Sequence, residues 1–342
     1  MATLEDIANR AGVSPKTVSN VLTGRLQATR KDAVVRARNI RRIAVEMGYR
    51  PNTAARAMST GRFNALALIH GSNVGRRFMP ERLWTGLHEA AQTHAQHILT
   101  AMLPDAQLSD PAEMPQLLQV LAADGLLIDY IHEEPQAMNR LIDQHNLPAM
   151  WLNHKRACDC VYPDEVWSGR VMTEQLVKRG HKRIVYVTRR DDSHYCVADR
   201  WEGYSQTMRE AGLQPERVLL QTEFVSENGP PVCGQACYEL ISRPDQPTAY
   251  VTQESSSAKS LILMAARRGL RVPQDLSIVT ISDNHEFDLG FEISLARQFF
   301  SQVGRVAIAK LLEKIDNPCV SIEPVAIEGV WREGSTIGPP RN

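Results

Sequence analysis

Polar side chains that can form hydrogen bonds stand close together near the N-terminus: Ser14, Lys16, Thr17, Ser19 and Asn20. An ammonium group and short hydroxyl or amide groups suit the phosphate oxygens and base edges of nucleic acids. Val18, Val21 and Leu22 recur among them at helical spacing. This pattern predicts a helix at about residues 14–23 that points its polar groups away from a small apolar contact.

The residues before this helix predict how it is held. Apolar residues at helical spacing indicate a preceding helix: Leu4, Ile7, Ala8 and Ala11. Gly12 suits a sharp turn that needs a positive φ, Ser14 is a good N-cap, and Pro15 fits the first helical position. We therefore predict a helix-turn-helix whose second helix reads DNA. An αα-hairpin that merely caps a larger domain would give the same local pattern.

The charge distribution favours the DNA-binding interpretation. Residues 1–62 contain twelve Lys or Arg but only four Asp or Glu, so this segment carries +8 and the rest of the chain −8. A basic head on an acidic body is typical of a polyanion-binding module joined to a domain with another role. An ordinary solvated surface explains such segregation less well.

The whole chain has the composition of a globular protein. It has 342 residues, of which 43% are hydrophobic and 23% charged, enough for two or three domains. No apolar run reaches membrane-spanning length and no secretory signal is visible. The cysteines are scattered and lack the regular spacing of a disulfide-rich secreted domain. We therefore expect a cytoplasmic protein.

The head continues with a third helix, predicted from about Asp32 to Met47 and ended by Gly48. Its predicted inner residues are Val34, Ala37, Ile40, Ala44 and Met47. After a break at Tyr49–Asn52, residues 53–58 favour helix over only two turns. Such a helix is unstable alone and is typical of a segment that folds on binding.

From Phe63 onward, short apolar runs alternate with amphipathic helices, as in parallel βαβ units. The predicted strands are 65–70, 125–129, 149–152, 184–187, 248–252 and 276–281. The predicted helices are 83–94, 164–179, 199–211, 256–268 and 301–314. So many units indicate two doubly wound parallel sheets rather than one.

Three stretches of this sequence resemble the lactose/purine-repressor family of bacterial regulators. They are LEDIANRAGVSPKTVSNVLTG, GYRPNTAARAM and, in the body, GLRVPQDLS at residues 269–277. The resemblance implies an all-α helix-turn-helix domain at 1–48, a hinge helix or linker at 49–62, and an effector-binding and dimerisation domain at 63–338. It also implies a periplasmic-binding-protein-like body of two lobes, with the chain crossing near 161–163, 290–291 and 320–322.

The same resemblance assigns DNA contacts. Pro15, Lys16 and Asn20 would read bases, with Ser14, Thr17 and Ser19 on phosphates. Asn52 and Arg56 would contact the backbone or groove beside the hinge, and Met58 would wedge into the minor groove. Pro15 replaces a residue that usually makes a side-chain contact. The connection from Gly24 to the third helix is also about four residues longer than is common in the family, and could add phosphate contacts or remain a solvated loop.

Effector contacts follow from the same alignment: Ser72, Asn73, Asn153, Arg200, Phe224, Glu254 and Asp283. Arg200 is the foremost candidate because a guanidinium at a cleft mouth suits hydroxyl, carboxylate or phosphate groups. A salt bridge between the lobes is the alternative for Arg200. We expect Arg200→Ala to abolish an effector response and leave folding nearly unchanged. Glu254, Ser255 and Ser282 depart from the family pattern, so a sugar effector is an expectation only.

Other motifs carry little weight. No phosphate-cradling glycine loop is present, and Ser256–Lys259, which matches S-x-x-K, fits the start of a helix better than a nucleophile site. Nothing assembles a catalytic group, a cofactor site or a metal site. His154, Cys158 and Cys160 lack a second set of ligands, and Cys233 and Cys237, one helical turn apart, fit packing best.

Together these patterns predict a non-enzymatic, homodimeric transcriptional regulator of a pseudo-palindromic operator, under allosteric control by a small molecule between the lobes. Repression is the family default. A solute-binding protein with a degenerate head and a non-specific architectural DNA binder are the rivals. The operator, the effector and the direction of its effect stay open.

Overall fold

The computed structural model describes residues 2–23, 31–50, 61–71, 79–104, 122–129, 136–189, 194–221, 223–224, 231–284 and 289–341. The chain divides into two compact units, Met1–Phe63 and Asn64–Asn342. Within the described ranges, no helix is both long and apolar enough to cross a membrane.

The described part of the first unit contains three helices, α1 (Leu4–Ala11), α2 (Pro15–Leu22) and α3 (Lys31–Glu46). Thr3 caps α1, because its hydroxyl accepts the Asp6 N–H while the Asp6 carboxylate accepts the Thr3 N–H at 2.8 Å. Gly12 follows α1 at a φ of 64°, where an added Cβ would meet nothing within 4 Å. Backbone conformation, not space, therefore accounts for this glycine, and the predicted turn is confirmed.

The three helices share a small apolar core. Its buried members are Ile7, Ala8, Val18, Val21, Ala37, Ile40, Ile43 and Ala44. The predicted inner side of α3 is wrong at Val34, whose exposed fraction is 40%, and it omits Ile43, which is buried. The apolar stripe runs through the middle of α3, and Val34 in the first turn lies beside it.

The first sheet of the second unit is entirely parallel. Its strands are β1 (Ala65–Gly71), β2 (His97–Leu103), β3 (Gly125–Asp129), β4 (Ala149–Leu152), β5 (Cys160–Pro163) and β13 (Val325–Ile327), in the order β13-β5-β4-β3-β1-β2. Helices α4 (Glu81–Thr93) and α10 (Phe300–Asp316) pack on one face of this sheet, and α5 (Gln136–Gln144) packs on the other.

The second sheet is parallel except at one edge. Its strands are β6 (Ile184–Thr188), β7 (Glu216–Leu219), β10 (Ala249–Thr252), β11 (Ser277–Ser282), β12 (Ser294–Arg297) and β14 (Val330–Arg332), in the order β14-β12-β11-β10-β6-β7. Only β14 in this sheet is antiparallel to its neighbour. A separate short pair joins β8 (Glu223–Phe224) and β9 (Pro231–Val232).

Helices also cover both faces of the second sheet. One face packs against α6 (Glu165–Lys178) and α7 (Tyr195–Glu210), and the other against α8 (Gly234–Ile241) and α9 (Ser255–Arg267). Strands buried on both faces read as continuous apolar runs, which is why the central strands were predictable. A helix-turn-helix head and a two-lobed, doubly wound α/β body confirm the predicted fold class.

The chain passes between the two lobes at three places. It leaves the first sheet after Pro163, leaves the second between Arg297 and Phe300, and crosses last between Ile327 and Val330. The predicted crossings at 290–291 and 320–322 are wrong in position. Residues 290–291 lie between two strands of the second sheet, and residues 320–322 precede β13, which pairs with β5 in the first sheet.

Candidate nucleic-acid interface and ligand cleft

The candidate reading helix is α2, and Ser14 fixes where it begins. The Ser14 hydroxyl accepts the Thr17 N–H at 3.2 Å and lies 2.9 Å from the Thr17 hydroxyl. Pro15 follows at the first helical position. Both hydroxyls therefore hold the helix start, in addition to the phosphate contacts predicted for them.

The buried side of α2 determines which side chains point outward. Val18 and Val21 are 0% and 3% exposed, and they anchor α2 against α1 and α3. Lys16 is exposed, and Ser19 and Asn20 are partly exposed. No hydrogen bond or ion pair holds the side chain of Lys16 or Asn20 within the part of the chain that the structure describes. Both remain available as donors for phosphates or base edges.

Five of the remaining predicted contacts lie outside the described residues. They are Asn52, Arg56 and Met58 of the hinge, and Ser72 and Asn73 after β1. Phe224 lies in β8, but the structure describes only its backbone and not its side chain.

The three crossings define a cleft between the lobes. Each of them leaves the carboxyl end of a parallel strand, and Val330 at the start of β14 pairs with Arg297 at the end of β12. Short connections therefore join the carboxyl edge of one sheet to the carboxyl edge of the other. Ligands of open α/β sheets bind at this edge, so the cleft is the candidate effector site.

Arg200 on α7 lies in a buried ion pair within the second lobe. Its Nε and Nη2 donate to the two oxygens of Glu165 at 2.6 and 2.7 Å, and its Nη1 donates to the Gln253 carbonyl at 2.8 Å. Gln298 donates to Glu165 at 2.8 Å. The alternative of a salt bridge between lobes is wrong, because Glu165 belongs to the same lobe.

This ion pair leaves Arg200 charged and partly available. Burial opposes its charge, but attraction to Glu165 outweighs that effect and raises the pKa of Arg200 well above its ordinary value. Among the described residues, these bonds use three of the five guanidinium N–H groups, which leaves two for a ligand. Sequence reasoning missed Glu165. Its position just after the first crossing was the available signal.

Glycines set the distance between α6 and α7 and so position this pair. A Cβ on Gly203 would lie 2.0 Å from the Val166 carbonyl oxygen, and one on Gly169 would lie 2.1 Å from the Arg200 carbonyl oxygen. Real Cβ atoms do not approach backbone that closely. The two helices therefore touch through their backbones, and Arg200 is held directly over the first turn of α6.

Glu254 is also engaged inside the second lobe. Its carboxylate accepts hydrogen bonds from Arg189 Nε and, at 3.1 Å, from the Ser257 hydroxyl. Arg189 additionally donates to Ser256 at 2.9 Å. Arg189 was missed by sequence reasoning, although it lies two residues after a predicted strand and directly after the observed strand β6. Glu254 thus departs from the family pattern, and the positive charge of Arg189 balances its negative charge.

Two carboxyl groups lie at the cleft edge, one in each lobe. Asp283 follows β11, and burial raises its pKa to about 6, with Arg82 opposing the shift. Asp129 ends β3, is 6% exposed, and has its pKa raised by burial to about 7. Such groups at a strand edge are suited to binding hydroxyl or amine groups. Asp129 was missed, although it closes a predicted strand.

Asn153 connects the lobes in this conformation. Its side-chain oxygen accepts the Tyr195 hydroxyl at 3.2 Å, and its carbonyl accepts His194 Nε2 at 3.0 Å. Nearby, Lys155 pairs with Asp199 at 2.7 Å. The predicted effector residue Asn153 is therefore also part of a bridge from β4 to the start of α7.

Comparisons with known proteins agree with this architecture. Residues 3–52 match the model of bacterial regulatory proteins of the lacI family, and residues 173–336 match a periplasmic binding protein-like domain. The transcriptional regulator DegA of Bacillus subtilis (strain 168) is 30% identical, with 81% of this chain and 80% of DegA aligned. The chain belongs to the lacI family.

Other matches of this lacI-family chain span nearly its whole length. The transcriptional repressor PurR of Pectobacterium carotovorum subsp. carotovorum (strain PC1) is 25% identical over 96% of both chains. The crystal structure of the lac repressor dimer bound to operator and the anti-inducer ONPF superposes with a TM-score of 0.77 at 19% identity, covering 98% of both chains. The family consists of DNA-binding transcriptional regulators rather than enzymes, which places this chain among regulators.

Proposed function

We propose that this regulator binds a pseudo-palindromic operator as a homodimer in the cytoplasm, represses transcription there, and responds to a small molecule in the cleft. The observation that carries the proposal is the outward face of α2, where no hydrogen bond to another described residue holds the side chains of Lys16 and Asn20. PurR is named a repressor, and the lac repressor structure is a dimer on its operator. Both support the same arrangement here.

The proposed division of labour follows the chain. Residues 1–48 read DNA, residues 49–62 form the hinge, with Asn52, Arg56 and Met58 at the groove, and residues 63–338 bind effector and dimerise. A linker whose helix forms only on DNA would let the body control the heads, since folding and binding are then coupled.

The cleft favours a small polyhydroxylated effector, such as a sugar or a related metabolite. Asp129 and Asp283 supply acceptors from opposite lobes, and Arg200 retains two N–H donors. Ser72, Asn73, Asn153, Phe224 and Glu254 complete the proposed contacts. A ligand that touches both lobes binds one interlobe angle best, and this difference in affinity is what allosteric control requires.

The proposed dimer surface consists of exposed apolar side chains in both lobes of the body. Trp84 on α4 and Leu99 and Met102 on β2 are 41%, 38% and 50% exposed, and Leu263 on α9 is 60% exposed. Among the described strands, β2 is the edge of the first sheet, and an apolar edge strand invites pairing with another chain. A second copy of this chain would cover these side chains.

The test is selection from randomised duplex DNA by the full-length protein at two salt concentrations. We expect an inverted repeat that persists at the higher salt. On that sequence, Asn20→Ala should weaken binding by about 1–3 kcal/mol and relax preference at one position of each half-site. Lys16→Ala should also weaken binding to the selected sequence more than to random DNA and, because it removes a positive charge, lower the salt slope by about one.

Recovery of no motif, with affinity collapsing as salt rises, would contradict sequence-specific binding and leave contact with phosphates alone. Equal effects of Asn20→Ala on selected and random DNA would remove Asn20 from base reading. Enrichment of a single, unrepeated half-site would contradict the dimer.

A further inference from the structure

Two cysteines meet at the start of α8, close to the cleft edge of the second lobe. Cys233 is the residue before the helix and Cys237 lies one turn later, with their Sγ atoms 3.7 Å apart. Both are buried, at 3% and 0% exposed. Residues four apart on a helix are about 6 Å apart along its axis, within the Cα spacing that a disulfide can span.

The surroundings of the pair favour a thiolate on Cys233. The Cys237 thiol donates to Cys233, the Ser260 hydroxyl adds a second hydrogen bond, and Arg189 is a nearby cation. Together they lower the pKa of Cys233, although burial and the charge of Glu254 oppose this. The same hydrogen bond, with burial, raises the pKa of Cys237. Cys233 also stands at a helix N-terminus, where the backbone dipole stabilises a negative charge.

We propose that Cys233 and Cys237 are an oxidation site at which hydrogen peroxide closes an intramolecular disulfide. The Cys233 thiolate attacks one peroxide oxygen, the O–O bond breaks, and the products are a Cys233 sulfenic acid and hydroxide. The hydroxide takes up the proton that Cys233 had released. The Cys237 sulfur then displaces the sulfenic hydroxyl, which leaves as water with the Cys237 proton. Two thiols lose two electrons, and one peroxide becomes two waters.

The burial of the pair selects the oxidant. A thiolate that is 3% exposed can be reached by a molecule the size of hydrogen peroxide during small fluctuations, whereas a glutathione disulfide must bring its leaving group past the helix start. The resolving thiol is already in contact with the attacking sulfur. Closure therefore needs side-chain rotation rather than unfolding. This inference goes beyond the proposed function and does not depend on an effector or an operator.

The experiment treats the reduced full-length protein with hydrogen peroxide, quenches it, and labels free thiols under denaturing conditions. We expect the tryptic peptide that carries both cysteines to be unlabelled and lighter by two hydrogen atoms, and dithiothreitol to restore it. Cys160, which is also buried and whose pKa is raised by burial, is the internal reference. Cys233 should react about tenfold faster than Cys160, because a larger thiolate fraction outweighs its lower nucleophilicity.

Single variants separate the two roles. In Cys237→Ser, the sulfenic acid on Cys233 has no partner and should be trapped by a cyclic 1,3-diketone. In Cys233→Ser, Cys237 should stay reduced. Arg189→Gln should move the pH midpoint of the reaction rate upward, since the neighbouring cation is lost while the Glu254 carboxylate, which raises the pKa of Cys233, stays. A pair that serves only to fill the core would not show this shift.

Three results would overturn the proposal. The pair could stay reduced at a peroxide dose that oxidises the exposed Cys319, the disulfide could form only in urea, or glutathione disulfide could react as fast as peroxide. All three measurements use the unmodified chain, so they hold even if a cysteine variant folds poorly.

Discussion

The contacts of Arg200 give this residue a role that its amino-acid type alone does not predict. From the sequence it is a cation at the mouth of a cleft, expected to be dispensable for folding. In the structure it neutralises Glu165, which is 1% exposed, while its own side chain is 12% exposed. Arg200 is therefore both the candidate binding residue and a residue that stabilises the second lobe. Because of this second role, we now expect its replacement to affect folding.

We predict that Arg200→Ala lowers the free energy of unfolding by about 3–5 kcal/mol, because it leaves the buried Glu165 carboxylate without its cationic partner. Urea denaturation of the unliganded protein measures this. The control is the double variant Arg200→Ala with Glu165→Gln, which removes the bare charge and should be more stable than Arg200→Ala alone. If Arg200→Ala leaves the free energy of unfolding nearly unchanged, this prediction is wrong and the sequence-based expectation, that Arg200 is dispensable for folding, is right.

The buried carboxyl group of Asp129 makes the folding stability of the body depend on pH. Its pKa is about 7 in the folded protein and near 3.8 when unfolded, so between these values the folded state holds a proton that the unfolded state releases. Stability therefore falls as pH rises from about 4 to 7. We predict that Asp129→Asn is more stable than the parent at pH 8, by about 2–4 kcal/mol.

Unfolding free energies measured from pH 4 to pH 8 test this prediction. Asp283→Asn is the matched control, since the pKa of Asp283 is raised only to about 6. Asp283→Asn should also be more stable than the parent at high pH, but by a smaller free energy than Asp129→Asn. This gain in stability should be complete nearer pH 6. Parallel curves for Asp129→Asn and the parent would refute the role of Asp129.

At the scale of elements, helix pairs in both lobes approach through glycine. Gly169 and Gly203 do this between α6 and α7, and Gly86 and Gly304 do it between α4 and α10, where a Cβ on Gly86 would lie 2.1 Å from the Ser301 carbonyl oxygen. A glycine within a helix costs stability by itself. Close backbone contact is the reason to keep it, because it brings the covering helices onto the sheets.

We predict that Gly203→Ala destabilises the body by about 1–3 kcal/mol or more, since α6 and α7 must separate. Gly234→Ala is the control, because its Cβ would meet nothing within 4 Å in the first turn of α8. It should be neutral or slightly stabilising, as alanine favours helix. Urea midpoints of the two variants compare them directly, and equal values would contradict the close contact.

At the scale of the whole molecule, the proposed assembly depends on apolar surface carried by both lobes. We predict that Leu263→Asp shifts the equilibrium from dimer to monomer, because a charge would enter the centre of an apolar contact. Sedimentation over a series of protein concentrations measures this. Val320→Asp, at a residue that is 38% exposed on the first lobe, should leave the dimer intact. Equal behaviour of the two variants would place the interface elsewhere.

Local patterns were enough to predict the head and the central strands. Ser14, Pro15 and the apolar pair Val18 and Val21 specify α2 through capping and spacing, which depend on neighbours along the chain. The strands at 125–129 and 149–152 were predicted at their observed bounds, since burial on both faces leaves a continuous apolar run. Elements with weaker patterns, such as β2, β7 and α5, were missed because their partly exposed sequences lack such a run.

The sequence by itself therefore determined the helix-turn-helix, the doubly wound body and the family, because these depend on spacing along the chain. Only the tertiary structure decided where the chain crosses between lobes, which carboxylate holds Arg200, and which cation accompanies Glu254. Those outcomes depend on pairs far apart in sequence, such as Val161 with Val325 and Arg189 with Glu254. Strand order and helix packing bring such pairs together, and no local pattern encodes that.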